Sequence, residues 1–289
     1  MSKIHNKIGI MNGRLSESIN GKIQEFPKHS WKQEFESASV CGFELMEWIF
    51  DTYEKNPLMD NDGIKEILNL SQKTGIVINS VLADFFMEKR LVNVSEFVLQ
   101  KNLDVLEILI KNCNRIGVKI LEIPFVDVSS LSTKEDQSQL VFNLQRILPL
   151  LDEYDILLTL ETDLVPKSFS ELIKSFNHSN IKANYDVGNS AALGYNITEE
   201  LTTFGNLISN IHIKDRKFHG QTVPLGTGDV DFDLFFNSLR QINYDGNFII
   251  QGAREIGIKP ENTSTKYLQF VKKYAEKYLF DDNNESNGT

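Results

Sequence analysis

The sequence alternates short apolar runs with longer segments of helical periodicity, and it does so eight times. The eight apolar or β-branched runs are predicted strands, and they cover residues 7–11, 43–50, 76–82, 118–125, 156–162, 181–186, 208–214 and 247–251. Most runs are continuous rather than alternating, which is typical of parallel strands that are covered on both faces. This repeated order leaves few folds open to the chain.

The segments between the runs carry the signals that start and end helices. Ser30 and Asp60 stand where helices are predicted to begin. Gly42, Gly75 and Gly117 each stand just before a predicted strand. A helix that ends in a left-handed residue favours glycine there, so we predict a helix end at all three positions.

Eight strand–helix units predict a single-domain (β/α)₈ TIM barrel over residues 1–280 of this 289-residue chain. A doubly wound open sheet is the alternative, but no G-x-G-x-x-G string follows the first predicted strand. Residues 281–289 are polar and lack periodicity, so they are predicted to form a flexible tail.

Composition narrows the classes of function. Thirty Lys and Arg against forty Asp and Glu give a formal net charge of −10, which argues against a nucleic-acid partner. No membrane partner is expected, because no run reaches the roughly 18 apolar residues of a membrane span. No signal peptide is recognisable either, so a cytoplasmic protein is expected. Cys41 and Cys113 are too few for a disulfide framework or a zinc cluster.

Polar residues stand at the ends of the last four predicted strands, where a TIM barrel carries its chemistry. They are Glu161, Asp186, His212 and Gln251. Carboxylates with one imidazole suit one divalent ion, with Mn²⁺, Mg²⁺, Co²⁺ and Zn²⁺ all admissible. Singly, a carboxylate near a strand end often caps a helix, and a lone histidine is often a core residue. Glu161 interrupts an apolar run, where an unpaired charge would be costly, and this favours the metal site.

Short strings after the strands resemble those of the xylose isomerase-like TIM-barrel superfamily of sugar and sugar phosphate isomerases and epimerases. Within it, the chain is most similar to the sugar phosphate isomerase/epimerase-type proteins of surface-polysaccharide gene clusters. The strings are IMNGRLS (10–16), MEWIFD (46–51), LET (160–162), YDVGN (185–189), IHIKD (211–215) and PLGTGD (224–229). The resemblance covers roughly residues 8–254.

The resemblance implies a mechanism. The superfamily positions that match Glu161, Asp186, His212 and residue 251 bind one divalent metal, which holds a carbonyl and a neighbouring hydroxyl of an open-chain sugar. Carboxylates from the fifth and eighth strands then move a proton through an enediolate that the metal stabilises. Glu161 is the base that this pattern implies.

Position 251 departs from the family pattern, because it is Gln where the epimerases carry Glu. A Gln side chain can offer an oxygen to a metal but cannot accept a proton at neutral pH. Isomerisation between aldose and ketose needs one base, which Glu161 can be, whereas epimerisation needs one on each face. Glu255 is a weaker candidate for the second base, and a metal-assisted dehydration also stays open.

Further polar residues at the same end are predicted substrate contacts. Arg14, Lys214 and Arg254 would bring three cations to an acidic metal site, which favours an anionic carbohydrate such as a sugar phosphate or sugar acid. The alternative is that each cation pairs with a nearby acid. The remaining predicted substrate contacts are Glu47, Asn189 and Asp215.

Two other functions are weighed against the isomerase. An apurinic endonuclease shares this fold but needs several zinc ions and extra histidines, whereas the third strand region offers Asn79 and Asp84. A non-catalytic sugar-binding or regulatory relative would keep Glu161, Asp186 and His212 as structure alone, with Gln251 marking lost chemistry. The sequence leaves the oligomeric state open, and a homodimer is one of its options.

Overall fold

The computed structural model describes residues 6–18 and 21–279. Their strands in chain order are β1 (Ile8–Met11), β2 (Leu45–Ile49), β3 (Val77–Leu82), β4 (Ile120–Phe125), β5 (Leu157–Thr162), β6 (Ile181–Asp186), β7 (Ile208–Ile213), β8 (Asp215–Arg216), β9 (Thr222–Val223) and β10 (Asn247–Ile250). All but β8 and β9 form one closed parallel barrel, in the order β1-β10-β7-β6-β5-β4-β3-β2. The predicted TIM barrel is therefore confirmed.

Helices follow the barrel strands and cover the outside of the barrel. The described helices are α1 (Trp31–Cys41), α2 (Asn61–Thr74), α3 (Phe85–Glu88), α4 (Glu96–Ile116), α5 (Lys134–Leu144), α6 (Leu148–Tyr154), α7 (Pro166–Ser175), α8 (Val187–Leu193), α9 (Ile197–Phe204), α10 (Phe232–Gln241) and α11 (Pro260–Leu279). Three short 3₁₀ helices, Pro57–Met59, Asp127–Ser129 and Gly205–Leu207, lie in the connections. Strands β8 and β9 pair as a small antiparallel ribbon beyond β7.

Each predicted strand lies within two residues of an observed barrel strand at both ends. The largest shifts are at the starts of β2 and β4, where residues 43 and 118 were included in the predicted strands. The backbone N–H of Phe43 donates to Ala38 and that of Val118 donates to Cys113, each at 3.0 Å. These bonds close the preceding helices, so both residues belong to helix ends rather than to the sheet.

The three predicted glycine helix ends are confirmed. Gly42, Gly75 and Gly117 have φ values of 87°, 78° and 82° and end α1, α2 and α4. The two predicted helix starts differ from each other. The Asp60 side chain accepts hydrogen bonds from the first turn of α2, whereas Ser30 precedes α1 without a side-chain bond to it.

The hydrophobic core lies between the barrel and its helices, and its largest fully buried side chains include Trp48, Phe86 and Phe236. The inside of the barrel is different, because several strands direct buried polar side chains into it. These are Glu47, Glu122, Glu161, Asn184, Asn210 and His212. The layer between barrel and helices is therefore apolar, whereas the inside of the barrel carries buried polar side chains.

Two simpler expectations can be compared with the structure. Cys41 and Cys113 are free thiols. Across residues 6–18 and 21–279, no helix is long and apolar enough to cross a membrane. The predicted tail at 281–289, and with it the predicted end of the domain at residue 280, lies outside the described residues.

The contrast between the two helix starts gives a stability prediction. Asp60 Oδ1 accepts from the backbone N–H groups of Asp62 and Gly63 at 2.9 and 2.8 Å. Asp60→Ala should therefore lower the free energy of unfolding by about 1 kcal/mol. Ser30→Ala is the matched control and should change it by a few tenths at most, as measured by urea denaturation. Equal losses in both variants would show that the Asp60 bonds do not stabilise α2.

Candidate active site

Four neighbouring strands bring the four predicted metal ligands together. Strands β5, β6, β7 and β10 are consecutive in the barrel, and Asp186 pairs directly with His212 in the sheet register. The backbone N–H of Gln251 continues the pairing of β10 with β7 by donating to Ile213. All four side chains are buried, so the fold collects them at the carboxyl end of the barrel.

His212 lies at the centre of this group, and its ring is closed off from solvent. Its Nδ1 atom lies 2.8 Å from Gln251 Nε2, 3.4 Å from Glu161 Oε2 and 4.0 Å from Asp186 Oδ2. A half-turn of the Gln251 amide presents its oxygen at the same place. One ring nitrogen therefore faces all three other predicted ligands.

The other ring nitrogen of His212 faces two further carboxylates. Nε2 lies 2.9 Å from Glu47 Oε1 and 3.1 Å from Glu122 Oε2. Glu47 is held from β3 and β7 by Ser80 Oγ at 2.8 Å and Asn210 Nδ2 at 3.2 Å. The structure thus places Glu47, a predicted substrate contact, deep inside the barrel beneath the imidazole.

Burial and neighbouring charges shift the pKa values of His212 and Glu122. Burial lowers the pKa of His212, but the charges of Glu122 and Glu47 outweigh it and raise that pKa well above the ordinary value. Burial raises the pKa of Glu122 well above its usual range. The surrounding carboxylates therefore favour the protonated form of the His212 ring.

Glu161 is fixed by two amides. Asn184 Nδ2 donates to its Oε2 at 2.9 Å, and Asn189 Nδ2 donates to its Oε1 at 2.6 Å. Burial alone would raise the pKa of Glu161, but its hydrogen bond to His212 and the charges of His212 and Lys214 lower it to about 2. The carboxylate is therefore ionised and held in one orientation.

The DVGN string lies close to Lys214, the residue that follows β7. Asp186 Oδ1 accepts from the backbone N–H of Asn189 at 2.8 Å at the start of α8, and Oδ2 lies 2.5 Å from Lys214 Nζ. A Cβ added to Gly188 would lie 2.8 Å from Lys214 Cβ. Glycine is needed there so that α8 can lie against Lys214.

Two arginines lie at the seam between β1 and β10. Arg254 donates to the carbonyl oxygens of Gly13 and Ser16, and Arg14 donates to the carbonyl oxygen of Ile23 at 2.5 Å. Both line a small cavity of about 40 Å³ that is partly open to solvent and that Glu17 and Glu255 also line. Burial and the charge of Arg254 lower the pKa of Arg14 to about 10. Within the described residues, neither guanidinium lies within 4.0 Å of a carboxylate oxygen.

The remaining predicted residues have different surroundings. Asp215 is buried and accepts three backbone N–H bonds, from Gly226, Gly228 and Val230, at 2.8–3.2 Å. It thereby holds the PLGTGD loop against the ribbon. Glu255, which was weighed as a second base, pairs with Lys266 of α11 at 2.9 Å.

Some residues of the site were not predicted. Glu122 interrupts the apolar run of β4 just as Glu161 interrupts that of β5, so the same signal was present in the sequence. Asn184 donates to Glu161 and contacts His212 at 3.1 Å, but asparagine inside a strand carries no distinctive pattern. Its role follows only from the strand register.

Comparisons with known proteins agree with the fold. Residues 35–274 match the family described as "Xylose isomerase-like TIM barrel". A Haemophilus influenzae protein, SgbU, named provisionally as an L-ribulose-5-phosphate 3-epimerase, is 26% identical over 277 residues, covering 88% of this chain and 91% of SgbU. The L-ribulose-5-phosphate 3-epimerase UlaE of Shigella flexneri is 23% identical, covering 84% of this chain and 89% of UlaE.

A solved structure is similar over almost the whole chain. It is that of the IolI protein with a bound zinc atom, with a TM-score of 0.74 and 17% identity, covering 94% of this chain and 99% of IolI. At this identity the similarity concerns the fold.

Glu34 of α1 predicts how the stability of the fold depends on pH. It lies near the cavity lined by Arg14 and Arg254, which is called the arginine cavity below. Its carboxylate accepts from the Gly13 backbone N–H at 2.6 Å and from Ser16 Oγ at 2.5 Å. Burial raises the pKa of Glu34 from 4.5 to about 7. Between pH 4.5 and 7 the unfolded chain therefore releases a proton that the folded chain keeps. This group should cost roughly 3 kcal/mol of stability as the pH rises through that window.

Glu34→Gln should remove that loss. The free energy of unfolding of the variant, measured by denaturant titration at several pH values, should rise relative to the wild type between pH 4.5 and 7 and stay level above it. Glu36→Gln, an exposed glutamate of the same helix, should run parallel to the wild type. A Glu34→Gln curve that is also parallel would contradict the assigned pKa.

Proposed function

Because the chain belongs to the xylose isomerase-like TIM barrel family, we propose that it is a metal-dependent isomerase or epimerase of a sugar phosphate. The observation that carries the proposal is the gathering of Glu161, Asp186, Gln251 and His212 Nδ1 at the carboxyl end of the barrel. Relatives along most of the chain are named as L-ribulose-5-phosphate 3-epimerases. The enzyme therefore acts on a carbohydrate through proton transfer next to a carbonyl.

The residues fit a divalent ion. Glu161, Asp186 and His212 each offer a ligand atom, and these atoms lie within 4.8 Å of one another. Ligand atoms about 2 Å from a shared ion would lie about 3–4 Å apart. Buried carboxylates also need a compensating cation, and among the described residues Glu122 Oε1 and Asn184 Oδ1 have no hydrogen-bond donor. When bound, the ion supplies Lewis-acid stabilisation of the oxyanion that forms at the substrate carbonyl.

The chain's own residues perform the proton transfer. Glu161 removes the proton from the carbon beside the carbonyl, and the substrate becomes an enediolate. Asn184 and Asn189 hold the carboxylate for this step, one at each oxygen. Glu47 Oε1 lies 2.9 Å from His212 Nε2, on the far side of the ring from the Nδ1 atom that faces the proposed ion, and a carboxylate beside the second ring nitrogen commonly tunes a metal-binding histidine.

The arginine pair supports an anionic substrate. Arg14 and Arg254 are two cations with no carboxylate within 4.0 Å among the described residues, and both line the same cavity. A guanidinium fork suits the oxygens of a phosphate. We therefore take a ketose 5-phosphate as the substrate and use L-ribulose 5-phosphate as the probe.

The endonuclease alternative is weaker on the described residues. Of the histidines in that part of the chain, His212 alone belongs to a metal-capable group. His178 lies 3.3 Å from Asp152 in the connection before β6. A cluster of several zinc ions would need more imidazoles than this site offers.

Metal content is the first test. After dialysis against Mn²⁺, Co²⁺ or Zn²⁺, elemental analysis should find one ion per chain. Asp186→Asn and His212→Ala should weaken metal affinity at least tenfold while thermal unfolding stays cooperative. His178→Ala is the control and should bind metal as the wild type does. Undiminished metal in both site variants would refute the assigned ligands, and no metal in the wild type would favour a non-catalytic sugar-binding protein.

Proton exchange tests the base. In D₂O with L-ribulose 5-phosphate, the enzyme should exchange the hydrogen next to the carbonyl, as followed by NMR. Glu161→Gln should slow this exchange roughly 10²–10⁴-fold, because a neutral amide accepts no proton. Glu255→Gln should exchange at the wild-type rate. Loss in the Glu255 variant instead would move the base there. Unphosphorylated L-ribulose should react at least tenfold more slowly if the arginines bind phosphate.

A further inference from the structure

An epimerisation needs a proton donor opposite the base, and the four predicted ligands do not supply one. Gln251 is neutral, and Asp186 lies 2.5 Å from the Lys214 ammonium. We propose that Asp84 is this second group, so that the enzyme epimerises its substrate with Glu161 and Asp84 on opposite faces. This inference rests on the proposed function, and it adds a catalytic residue and selects epimerisation over one-base isomerisation.

The topology places Asp84 at the right end of the barrel. It is the second residue after β3, whose carboxyl end opens at the same face as those of β5 and β7. In the ring of eight strands, β3 stands four places from β7 and two from β5. Asp84 therefore approaches the mouth of the barrel from the wall opposite His212.

A carboxylate at the start of a helix usually caps that helix, but the Asp84 side chain bonds to another residue instead. Asp84 precedes α3, yet its carboxylate makes no capping bond to that helix. Instead Oδ2 accepts from Gln24 Nε2 at 2.6 Å. The orientation of the Gln24 amide is fixed in turn, because its Oε1 accepts from Arg14 Nη2 at 3.4 Å. Oδ1 has no hydrogen-bond donor among the described residues.

The pKa of Asp84 depends in part on charges of the proposed reaction centre. Burial raises the pKa of Asp84 to about 6, with further increases from the charges of Glu161 and Asp51, whereas Gln24 and the Lys214 ammonium lower it. The charges of Glu161 and Lys214 act on Asp84 because all three residues stand at or just beyond the carboxyl ends of barrel strands. A carboxyl group with a pKa of about 6 is protonated in a fraction of the molecules near neutral pH, so it can donate a proton, which the ionised Glu161 cannot.

The proton balance is simple. Glu161 carboxylate takes the proton from the carbon beside the carbonyl, so that the C–H bond breaks and the enediolate forms. Protonated Asp84 then gives its proton to the opposite face of the same carbon, and a new C–H bond forms with inverted configuration. Glu161 is left protonated and Asp84 ionised, and exchange with water restores both.

The test separates inversion from exchange. With metal-loaded enzyme and L-ribulose 5-phosphate in D₂O, Asp84→Asn should form the opposite epimer at least a hundredfold more slowly. It should still exchange deuterium into one epimer of the pair within about threefold of the wild-type rate, since Glu161 is intact. That remaining exchange also shows that the variant is folded. Asp163→Asn, a carboxylate after β5 that accepts from Ser130 Oγ at 2.7 Å, is the matched control and should match the wild type in both assays.

The other outcomes overturn the inference in distinguishable ways. Unchanged inversion in Asp84→Asn, or equal loss of inversion and exchange in Asp84→Asn and Asp84→Ala, would remove Asp84 from the proton transfer. A wild type that exchanges deuterium and isomerises ketose to aldose without inversion would refute the inference but keep the proposed function. A metal-loaded wild type that neither exchanges nor inverts L-ribulose 5-phosphate would count against both.

Discussion

Buried negative charge inside the barrel is the constraint on which the rest of the structure depends. Carboxylates from β2, β4, β5 and β6 converge on one imidazole that solvent does not reach. In such an environment, unbalanced charge costs several kcal/mol per ion. The His212 ring, whose pKa these charges raise, and the Lys214 ammonium face this negative charge. A bound divalent cation would offset it further.

Because these buried charges lie so close together, residues of one short string make several of the contacts that hold them. In the DVGN string, Asp186 begins α8 and contacts Lys214, while Asn189 restrains Glu161 and accepts a hydrogen bond from Arg216 at 2.8 Å. Gly188, which stands between them, lets the backbone of α8 lie against Lys214. A change at Asp186 would therefore disturb a helix start and a charge pair, whereas a change at Asn189 would remove a hydrogen bond from Glu161.

Most of the strands were predictable because they are largely buried on both faces and so appear as mainly apolar or β-branched runs. The ends were less predictable, since Phe43 and Val118 have apolar, buried side chains like those of the strands although their backbone N–H groups close the preceding helices. Glu161 was recognisable as a charge within an apolar run, and Glu122 carried the same signal. What no local pattern contains is the direction of a side chain across the barrel. The place of Asp84 depends on Gln24, 60 residues earlier in the chain.

The arginine cavity is assembled from the two ends of the barrel. Arg254 reaches back to the carbonyl oxygens of Gly13 and Ser16, across sequence separations of 241 and 238 residues. A chain still emerging from the ribosome has β1 and its loop long before it has Arg254, so the cavity cannot exist until the last strand has docked. Any ligand that fills it binds only the closed ring. Such a ligand would therefore stabilise the pairing of the first strand with the last one, which closes the ring.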